Sequence, residues 1–378
     1  MKPVYIEFST PAGICYLRKD CVNQFTDVDV AVFDCGGVLL DVRESYRGAV
    51  AETASIFLEA LTGSQVDPSL FGKDLFFAFK KTGFFNNDWN ITYAYILGAL
   101  NTLSDQELKS LEISAKNVED ESLSKRLNHF IELRKPCQLK MNLVIEQLIR
   151  LSESIDTGGV ESSDGLFPRI GAELKRRILL RGKVGQSIIS TLFEEVFGGA
   201  DLFRETFGYP AQFTTKQIGY IEKEKVVLTP ETVHKLTDHF GGRRFGIASG
   251  SLMNSAHHAL GIAIDLFSRE AQVWHEDIDV AEAGKKKLHK PHGYSLLRAA
   301  SSFKPYHRVV YVGDTMADLL TARDAVKKIP KFSFIGVYNT AESSEATRDM
   351  FLSSGADAVA PTVNQVPLIL KKAQDLKM

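Results

Sequence analysis

The sequence predicts an α/β protein whose core is a doubly wound parallel sheet, and three observations support that fold class. Two apolar segments, 30–34 and 309–314, each end in an aspartate that has a glycine within two residues. From residue 230 onward, strand-like segments alternate with helical ones, as in a parallel sheet with helices on both faces. A mostly helical block of about 185 residues separates the first strand from this alternation, which indicates a large insertion.

The N-terminal part of the chain begins with two short strand-like segments, residues 4–8 and 13–17, around a turn signal at 10–13. They predict a hairpin added to the edge of the core. The next strand, 29–34, ends in Asp34. A carboxylate at this end of a buried parallel strand lies where open α/β sheets bind their ligands. Gly36 and Gly37 follow and allow a sharp turn and a close approach of the backbone to a ligand.

The inserted block has helical periodicity almost throughout. Ser104 and Glu107 form a predicted capping box, and Pro136 predicts a break in the long segment 121–153. Predicted helices cover residues 44–62, 73–81, 90–100, 105–113, 121–153, 170–181 and 187–197.

The C-terminal part begins with a helix at Thr229 and Pro230, which suit the cap and first-turn positions. Its predicted strands are 244–248, 308–313, 332–337 and 357–360, and its later helices are 251–260, 293–302, 316–326, 343–354 and 365–375.

Composition sets the broad class of the protein. The 378 residues are 44% hydrophobic and 24% charged with a net charge of −2, which is typical of a folded protein and gives no reason to expect nucleic-acid binding. No apolar run reaches 18 residues and no signal-peptide core is evident, so we expect no membrane partner and a cytoplasmic location.

The cysteines, Cys15, Cys21, Cys35 and Cys137, are too few and too scattered for a disulfide framework or a zinc site. A pair between Cys15 and Cys21 stays open beside reduced thiols. Cys35 adjoins Asp34, but alternate strand residues face opposite ways, so we expect its side chain to point away from Asp34.

Three later segments carry polar residues at element ends. The strand at 244–248 runs into Ser249, a lysine–proline pair stands at Lys290, and Asp314 and Asp318 follow the strand at 308–313. Asp318 lies four residues after Asp314 and would share a helical face with it. Each feature alone also fits a plain structural role, such as a helix cap for Ser249 or Asp314 and a surface position for Lys290. Only their common order predicts a site.

In that order, the four segments resemble the haloacid dehalogenase superfamily, most members of which are Mg²⁺-dependent phosphatases with a Rossmann-like core. The resemblance covers residues 28–45 and 230–370. The helical block stands where the family inserts a helical cap after its nucleophile motif. The predicted domains are therefore an N-terminal extension, 1–28, a core formed by 29–45 and 230–378, and a cap, 46–229, with an extra insertion around 101–200.

The resemblance implies a catalytic role for three residues. Asp34 would attack phosphorus and form an aspartyl phosphate, which divides one hard displacement into two easier ones. Ser249 would donate a hydrogen bond to a phosphate oxygen, and Lys290 would neutralise the phosphate and orient Asp34. The implied substrate is a small phosphorylated metabolite; the oligomeric state stays open.

The resemblance also implies Mg²⁺ as cofactor, held by Asp34, Asp314 and the carbonyl of Gly36, with Asp318 supporting or ligating it. Mg²⁺ suits such a site because it prefers a few carboxylate oxygens and keeps waters and substrate phosphate as further ligands. Gly37, Gly250 and Ser251 are the predicted substrate contacts in the core, and the backbone N–H groups of Gly250 and Ser251 would bind phosphate at the start of a helix.

The sequence departs from the family pattern at Gly36, because the family's phosphatases usually carry there an aspartate that acts as general acid and base. Three alternatives to a phosphatase therefore stay open. A phosphonatase-like enzyme would need a cap lysine that forms a Schiff base, for which Lys73, Lys80 and Lys81 are available. A non-catalytic binding protein would keep the metal site without turnover. A dehalogenase would not need Asp314, whose presence argues against it.

Two polar clusters of the helical block are candidates for substrate selection. Residues 43–47 contain Arg43 and Arg47, and residues 83–90 mix amides, an acid and aromatic rings. From these clusters we predict Arg47, Asn87 and Asp88 as substrate-binding residues. The alternatives are solvated arginines in the first cluster and a helix-capping turn in the second.

Overall fold

The computed structural model describes residues 3–82, 85, 87–119, 122–154, 167–282 and 287–377. Two compact units make up the chain. The first consists of Met1–Arg43 and Glu224–Met378, and the second of Glu44–Lys223. The first contains the sheet, and the described part of the second is helical.

The strands of the first unit fall into one large sheet and one small ladder. They are β1 (Tyr5–Thr10), β2 (Gly13–Arg18), β3 (Val28–Phe33), β4 (Leu40–Asp41), β5 (Lys225–Val226), β6 (Phe245–Ala248), β7 (Gln272–Val273), β8 (Arg308–Gly313), β9 (Phe332–Val337) and β10 (Ala358–Ala360). Eight of them form a sheet in the order β1-β2-β10-β9-β8-β3-β6-β7, while β4 and β5 pair with each other.

The large sheet is parallel from β10 to β7, and the β1–β2 hairpin joins it antiparallel at β10. From β3, the chain first builds outward on one side with β6 and β7 and then returns to β8, β9 and β10 on the other. The order therefore reverses at β3, and the carboxyl end of such a strand is where open α/β sheets bind their ligands.

Side chains alternate between two apolar layers along the central strands, because successive strand residues face opposite ways. One layer includes Ala31, Phe33, Val310 and Val312, and the other includes Val30, Val32, Val309 and Tyr311. Since both faces are covered, the central strands are hydrophobic over residues 30–33 and 309–312, as expected for a doubly wound sheet.

The helices of the first unit lie mainly between successive strands. They are α1 (Val22–Thr26), α10 (Pro230–Phe240), α11 (Met253–Leu260), α12 (His275–Glu282), α13 (Tyr294–Ser301), α14 (Met316–Lys328), α15 (Ser344–Ser353) and α16 (Val366–Lys377). The predicted start of α10 is confirmed: Thr229 accepts the N–H of Thr232, and Pro230 stands in the first turn.

The described helices of the second unit are α2 (Ser45–Thr62), α3 (Lys73–Lys80), α4 (Asp88–Leu100), α5 (Asp105–Lys116), α6 (Leu123–Leu133), α7 (Met141–Ser154), α8 (Ala172–Arg177) and α9 (Ile188–Phe207). Aromatic contacts pack this unit, among them the stacked rings of Tyr46 and Phe197, whose centroids are 4.7 Å apart. Glu195 of α9 is buried. Its carboxylate accepts the backbone N–H groups of Gln212, Phe213 and Thr214 at 2.7, 2.7 and 3.0 Å.

The predicted α/β fold with a doubly wound sheet is confirmed, as is the capping box of Ser104 and Glu107. The break predicted in the helical segment 121–153 is confirmed, because the structure has two helices there, α6 and α7. They are separated around Pro136, which lacks an N–H and disfavours helix in the residue before it. In the described part of the chain, no helix combines the length and apolarity needed to span a bilayer.

Candidate active site

Asp34 stands directly after β3 and is tied to the neighbouring strand. Its backbone N–H donates to the carbonyl of Val312 in β8 at 2.9 Å. The residue is only 8% exposed, and its Oδ1 lies 2.8 Å from Nζ of Lys290. The nucleophile candidate is therefore held at the carboxyl edge of the sheet with a cation against it.

Lys290 lies between two carboxylates. Its Nζ is 2.8 Å from Asp34 Oδ1 and 2.7 Å from Asp318 Oδ1, and its side chain is 1% exposed. Burial alone would lower the pKa of this amine, but the two carboxylates outweigh burial and raise it above its usual value. Lys290 is therefore a fixed buried cation.

Asp318 anchors that cation and also caps a helix. Its Oδ1 accepts the Tyr311 hydroxyl at 2.8 Å in addition to Lys290. Its Oδ2 accepts the backbone N–H and the hydroxyl of Thr315 at 3.0 and 2.6 Å, which completes a capping box at the start of α14. Burial raises the pKa of Asp318, but Lys290 and these hydrogen bonds outweigh burial, so the pKa lies below its usual value.

Glycine is required where Asp318 packs against the strand end. A Cβ on Gly313 would lie 2.2 Å from Cβ of Asp318. With four donors on its two oxygens, Asp318 is arranged as a support for Lys290 and for the start of α14.

Asp314 completes a group of three carboxylates. One oxygen from each of Asp34, Asp314 and Asp318 lies within 4.8 Å of the other two. Gly37 has a φ of +76°, and a Cβ there would lie 2.0 Å from Oδ2 of Asp314, so only glycine leaves room for this carboxylate. The oxygen-only donors fit a hard divalent cation.

The charge of this group favours such a cation. The ammonium of Lys290 contacts two of the three carboxylates, those of Asp34 and Asp318. The pKa of Asp34 is raised, mainly by burial and also by Asp318, although Lys290 lowers it. An additional positive charge would favour the ionised form of Asp34, which is the nucleophilic one.

Ser249 directly follows β6 at the same edge of the sheet and is buried. Its N–H donates to the carbonyl of Val273 at 3.0 Å. Its hydroxyl donates to Oγ of Ser251 and accepts the N–H of Ser251, both at 3.2 Å. The helix predicted from residue 251 begins at Met253, because Ser249 and Ser251 first close a turn with their own side chains.

Position 36 offers no acidic side chain, and neither Asp41 nor Cys35 is suited to act as a proton donor in its place. The Asp41 carboxylate accepts Nε of Arg43 at 2.9 Å; although burial raises its pKa, Arg43 outweighs burial and holds it below the usual range. Asp41 is therefore a poor proton donor. Cys35 packs into one apolar layer of the core, and burial raises its pKa well above the usual value. All four cysteines are free.

Arg47, Asn87 and Asp88 belong to the helical unit. Arg47 is in the first turn of α2. Asn87 Oδ1 accepts the N–H of Trp89 at 2.8 Å and caps α4, and Asp88 lies 2.9 Å from Nζ of Lys80. Gly83, Phe84 and Asn86 of the same cluster lie outside the described residues. The Asn87 contact is that of the capping-turn alternative, and the substrate-binding role of Arg47, Asn87 and Asp88 stays a prediction.

The structure adds two residues that sequence reasoning missed. Tyr311 binds Asp318, and Thr340 donates its hydroxyl to the carbonyl of Gly37. A hydroxyl-bearing side chain among the apolar residues 309–312 of β8 was a signal for Tyr311. Nothing in the sequence around Thr340 points to Gly37, which is 303 positions away.

Comparison with known proteins identifies the family. The family model for haloacid dehalogenase-like hydrolases matches residues 28–325. A structural-genomics target solved by X-ray crystallography is 19% identical with a TM-score of 0.59 over 92% of this chain and 100% of that one. A hydrolase from Pseudomonas syringae is 15% identical with a TM-score of 0.35 over 92% and 98% of the two chains. No curated protein matches this chain. The first of these structures supports the fold, and the family model shows that the chain belongs to the haloacid dehalogenase-like hydrolases.

Proposed function

We propose that this hydrolase is a Mg²⁺-dependent phosphatase of a small phosphorylated metabolite and acts through an aspartyl phosphate at Asp34. The observation that carries the proposal is the buried ammonium of Lys290, 2.8 Å from Asp34 and 2.7 Å from Asp318, beside the third carboxylate of Asp314. This combines a nucleophile, a fixed cation and oxygen donors for a metal at one strand edge.

The proposed cation site consists of Asp34, Asp314 and the carbonyl of Gly36. When bound, Mg²⁺ supplies the positive charge that lets a carboxylate and a phosphate dianion approach each other. Asp318 has a supporting role, because Lys290, Tyr311 and Thr315 already donate to both of its oxygens.

In the proposed reaction, a carboxylate oxygen of Asp34 bonds to phosphorus as the bond to the leaving-group oxygen breaks. Lys290 orients Asp34 and neutralises charge on the phosphoryl group, and Ser249 donates its hydroxyl proton in a hydrogen bond to a phosphoryl oxygen. A water then attacks the phosphorus of the aspartyl phosphate, which releases inorganic phosphate and restores the Asp34 carboxylate. Such positioning and charge stabilisation are the main contributions in phosphoryl transfer.

Glycine at position 36 favours a particular kind of substrate. General acid–base help is worth about 10²–10⁴-fold in rate, and this chain lacks the side chain that supplies it in the family. We therefore propose substrates whose leaving group departs without protonation, such as aryl, enol or acyl phosphates. We also propose that the helical unit selects the substrate, with Arg47, Asn87 and Asp88 as candidate contacts.

The proposal is tested by phosphate release from a panel of phosphorylated metabolites, with and without Mg²⁺. Wild-type protein should release phosphate only with the metal, and Asp34→Asn should abolish release. Asp41→Asn is the matched control, because it removes a nearby strand-end carboxylate that is bonded to Arg43, and it should keep activity. Mass spectrometry of acid-quenched protein should find a phosphoryl group on the peptide that contains Asp34.

Two other outcomes would redirect the proposal. Substrate-dependent trapping of a lysine by borohydride, with release from phosphonates only, would identify a phosphonatase-like enzyme. Binding of Mg²⁺ by folded protein with no turnover across the panel would identify a non-catalytic binding protein.

A further inference from the structure

A second group of metal-ligand side chains lies on the first unit, separate from the three aspartates. His275 and Asp279 stand four residues apart on α12, and His289 immediately precedes Lys290. Nε2 of His289 is 2.8 Å from Oδ1 of Asp279, and Nε2 of His275 is 3.7 Å from the same oxygen. We propose that these three side chains form a second metal site, for a divalent transition ion such as Zn²⁺.

The distances suit a tetrahedral ion. With metal–ligand bonds of about 2.0–2.1 Å, two ligand atoms of a tetrahedral zinc site are about 3.3 Å apart. The two separations from Asp279 Oδ1, 2.8 and 3.7 Å, lie on either side of that value. One potential ligand atom from each of the three residues lies within 4.8 Å of the others, so shifts of the side chains alone would bring them to bonding geometry.

Neighbouring carboxylates hold the backbone of this site in place. Glu282 accepts the N–H groups of Leu288 and His289 at 2.6 and 3.3 Å, which fastens the His289 segment to the end of α12. Asp277 accepts the N–H of Trp274 at 2.9 Å, and Glu276 accepts the N–H of Met253 at 3.1 Å. These three carboxylates support the backbone, whereas Asp279 faces the two imidazoles.

The donor set selects the class of ion. Two imidazoles and one carboxylate suit Zn²⁺ and related first-row ions, whereas Mg²⁺ prefers oxygen ligands. The side chains of His275, Asp279 and His289 are 13%, 20% and 33% exposed, so an ion can enter and keep a water as a fourth ligand. The site therefore differs in metal preference from the three aspartates around Lys290.

The proposed metal site is also connected to two segments of the candidate active site, those that contain Ser251 and Lys290. The N–H of His275 donates to the carbonyl of Ser251 at 3.1 Å, and His289 is bonded directly to Lys290 in the chain. A metal here would fix α12 to the segments that contain Ser249 and Lys290. His275, Asp279 and His289 would then be positioning residues, and they have no part in the chemical step.

The experiment measures Zn²⁺ binding to the full chain by equilibrium dialysis with excess Mg²⁺, which occupies oxygen-only sites. We expect one Zn²⁺ per chain. Loss of a ligand in His289→Gln or Asp279→Asn should weaken binding at least about tenfold, which is the effect of losing even an outer partner of a metal ligand. His234→Gln is the matched control, because His234 and Asp238 have the same four-residue spacing at 3.3 Å on an exposed helix face.

Co²⁺ provides a second readout that needs no variant, because an imidazole-bound tetrahedral Co²⁺ absorbs visible light. If wild-type protein shows neither this absorption nor a bound Zn²⁺, or if the variants at His289 and Asp279 bind like wild type, the proposal is wrong. The group is then a hydrogen-bonded imidazole–carboxylate pair. Circular dichroism checks folding, and His275→Gln replaces any variant that misfolds. Because the readout is binding, the result does not depend on phosphatase activity.

Discussion

Replacing Lys290 by methionine would remove the ammonium that Asp34 and Asp318 share while keeping a flexible apolar side chain. Removing one partner of a buried ion pair typically costs about 3–5 kcal/mol. We expect the lower end, about 3 kcal/mol, because Asp318 keeps Tyr311 and Thr315 as donors and Asp34 can accept a proton.

The assay is urea unfolding followed by tryptophan fluorescence. The chain has two tryptophans, Trp89 in the helical unit and the buried Trp274 in the sheet unit, so a Trp89→Phe background reports on the sheet unit. Lys328→Met is the control. The Lys328 side chain is 41% exposed and lies 2.7 Å from Asp324, and such exposed pairs are worth about 0–1 kcal/mol.

The pH dependence follows from the direction of each shift. Asp318 has a lowered pKa, so its contribution is present above the usual aspartate value and is lost as the pH falls. Lys290 has a raised pKa, so its contribution is present below the usual lysine value and is lost only as the pH rises through the raised one. In the methionine variant the loss of the Lys290 charge removes the main influence that lowers the pKa of Asp34, so Asp34 takes up a proton at a higher pH than in the wild type. The difference in unfolding free energy between wild type and variant should therefore shrink as the pH falls toward the usual aspartate range. A variant no less stable than Lys328→Met would refute the buried bridge.

Three further changes have expected outcomes. Gly37→Ala should weaken Mg²⁺ binding, measured by calorimetry, about tenfold or more, because the added Cβ would collide with Asp314. The control is Gly241→Ala, whose φ is +67° and whose Cβ would enter open space; it should cost about 1–2 kcal/mol of stability and leave the Mg²⁺ affinity unchanged. An equal loss of affinity in the two variants would contradict this reasoning. Gly36→Asp should increase the rate of alkyl phosphate hydrolysis about 10²-fold more than the rate of aryl phosphate hydrolysis, because only the alkyl leaving group needs a proton. Equal rate increases for the two substrates would argue against a missing general acid. Burial raises the pKa of Glu195 above its usual value despite three backbone hydrogen bonds, so the stability of the wild type should fall as the pH rises from the usual glutamate pKa through the raised one. In thermal unfolding, Glu195→Gln should reduce this dependence of stability on pH. An unchanged dependence would show that another group causes it.

The sequence was sufficient for the fold class because the strands that matter are apolar and end at polar residues. Asp34, Ser249 and Asp314 each follow such a strand, and parallel strands bring these ends to one edge. The two-residue strands β4, β5 and β7 were not predicted, since two residues carry no periodicity.

Contacts made through the fold were also beyond the sequence. Asp318 accepts four hydrogen bonds, and two of the donors, Tyr311 and Lys290, come from separate parts of the chain. Likewise, His289 meets His275 and Asp279 only because the chain returns to α12. Side chains on separate elements have no common period in the sequence, so their meeting cannot be derived from local pattern.

The β1–β2 hairpin bears on the solubility of the sheet. Strand β10 consists of three fully buried apolar residues, and β2 covers its outer side. Two tyrosine hydroxyls fasten the hairpin: Tyr5 donates to the carbonyl of Ala356 at 2.9 Å, and Tyr338 donates to that of Ile14 at 2.9 Å. Without the hairpin, β10 would be an apolar edge strand with unpaired backbone groups, which is a template for pairing with another copy. The first strands of the chain therefore protect the sheet against edge-to-edge aggregation.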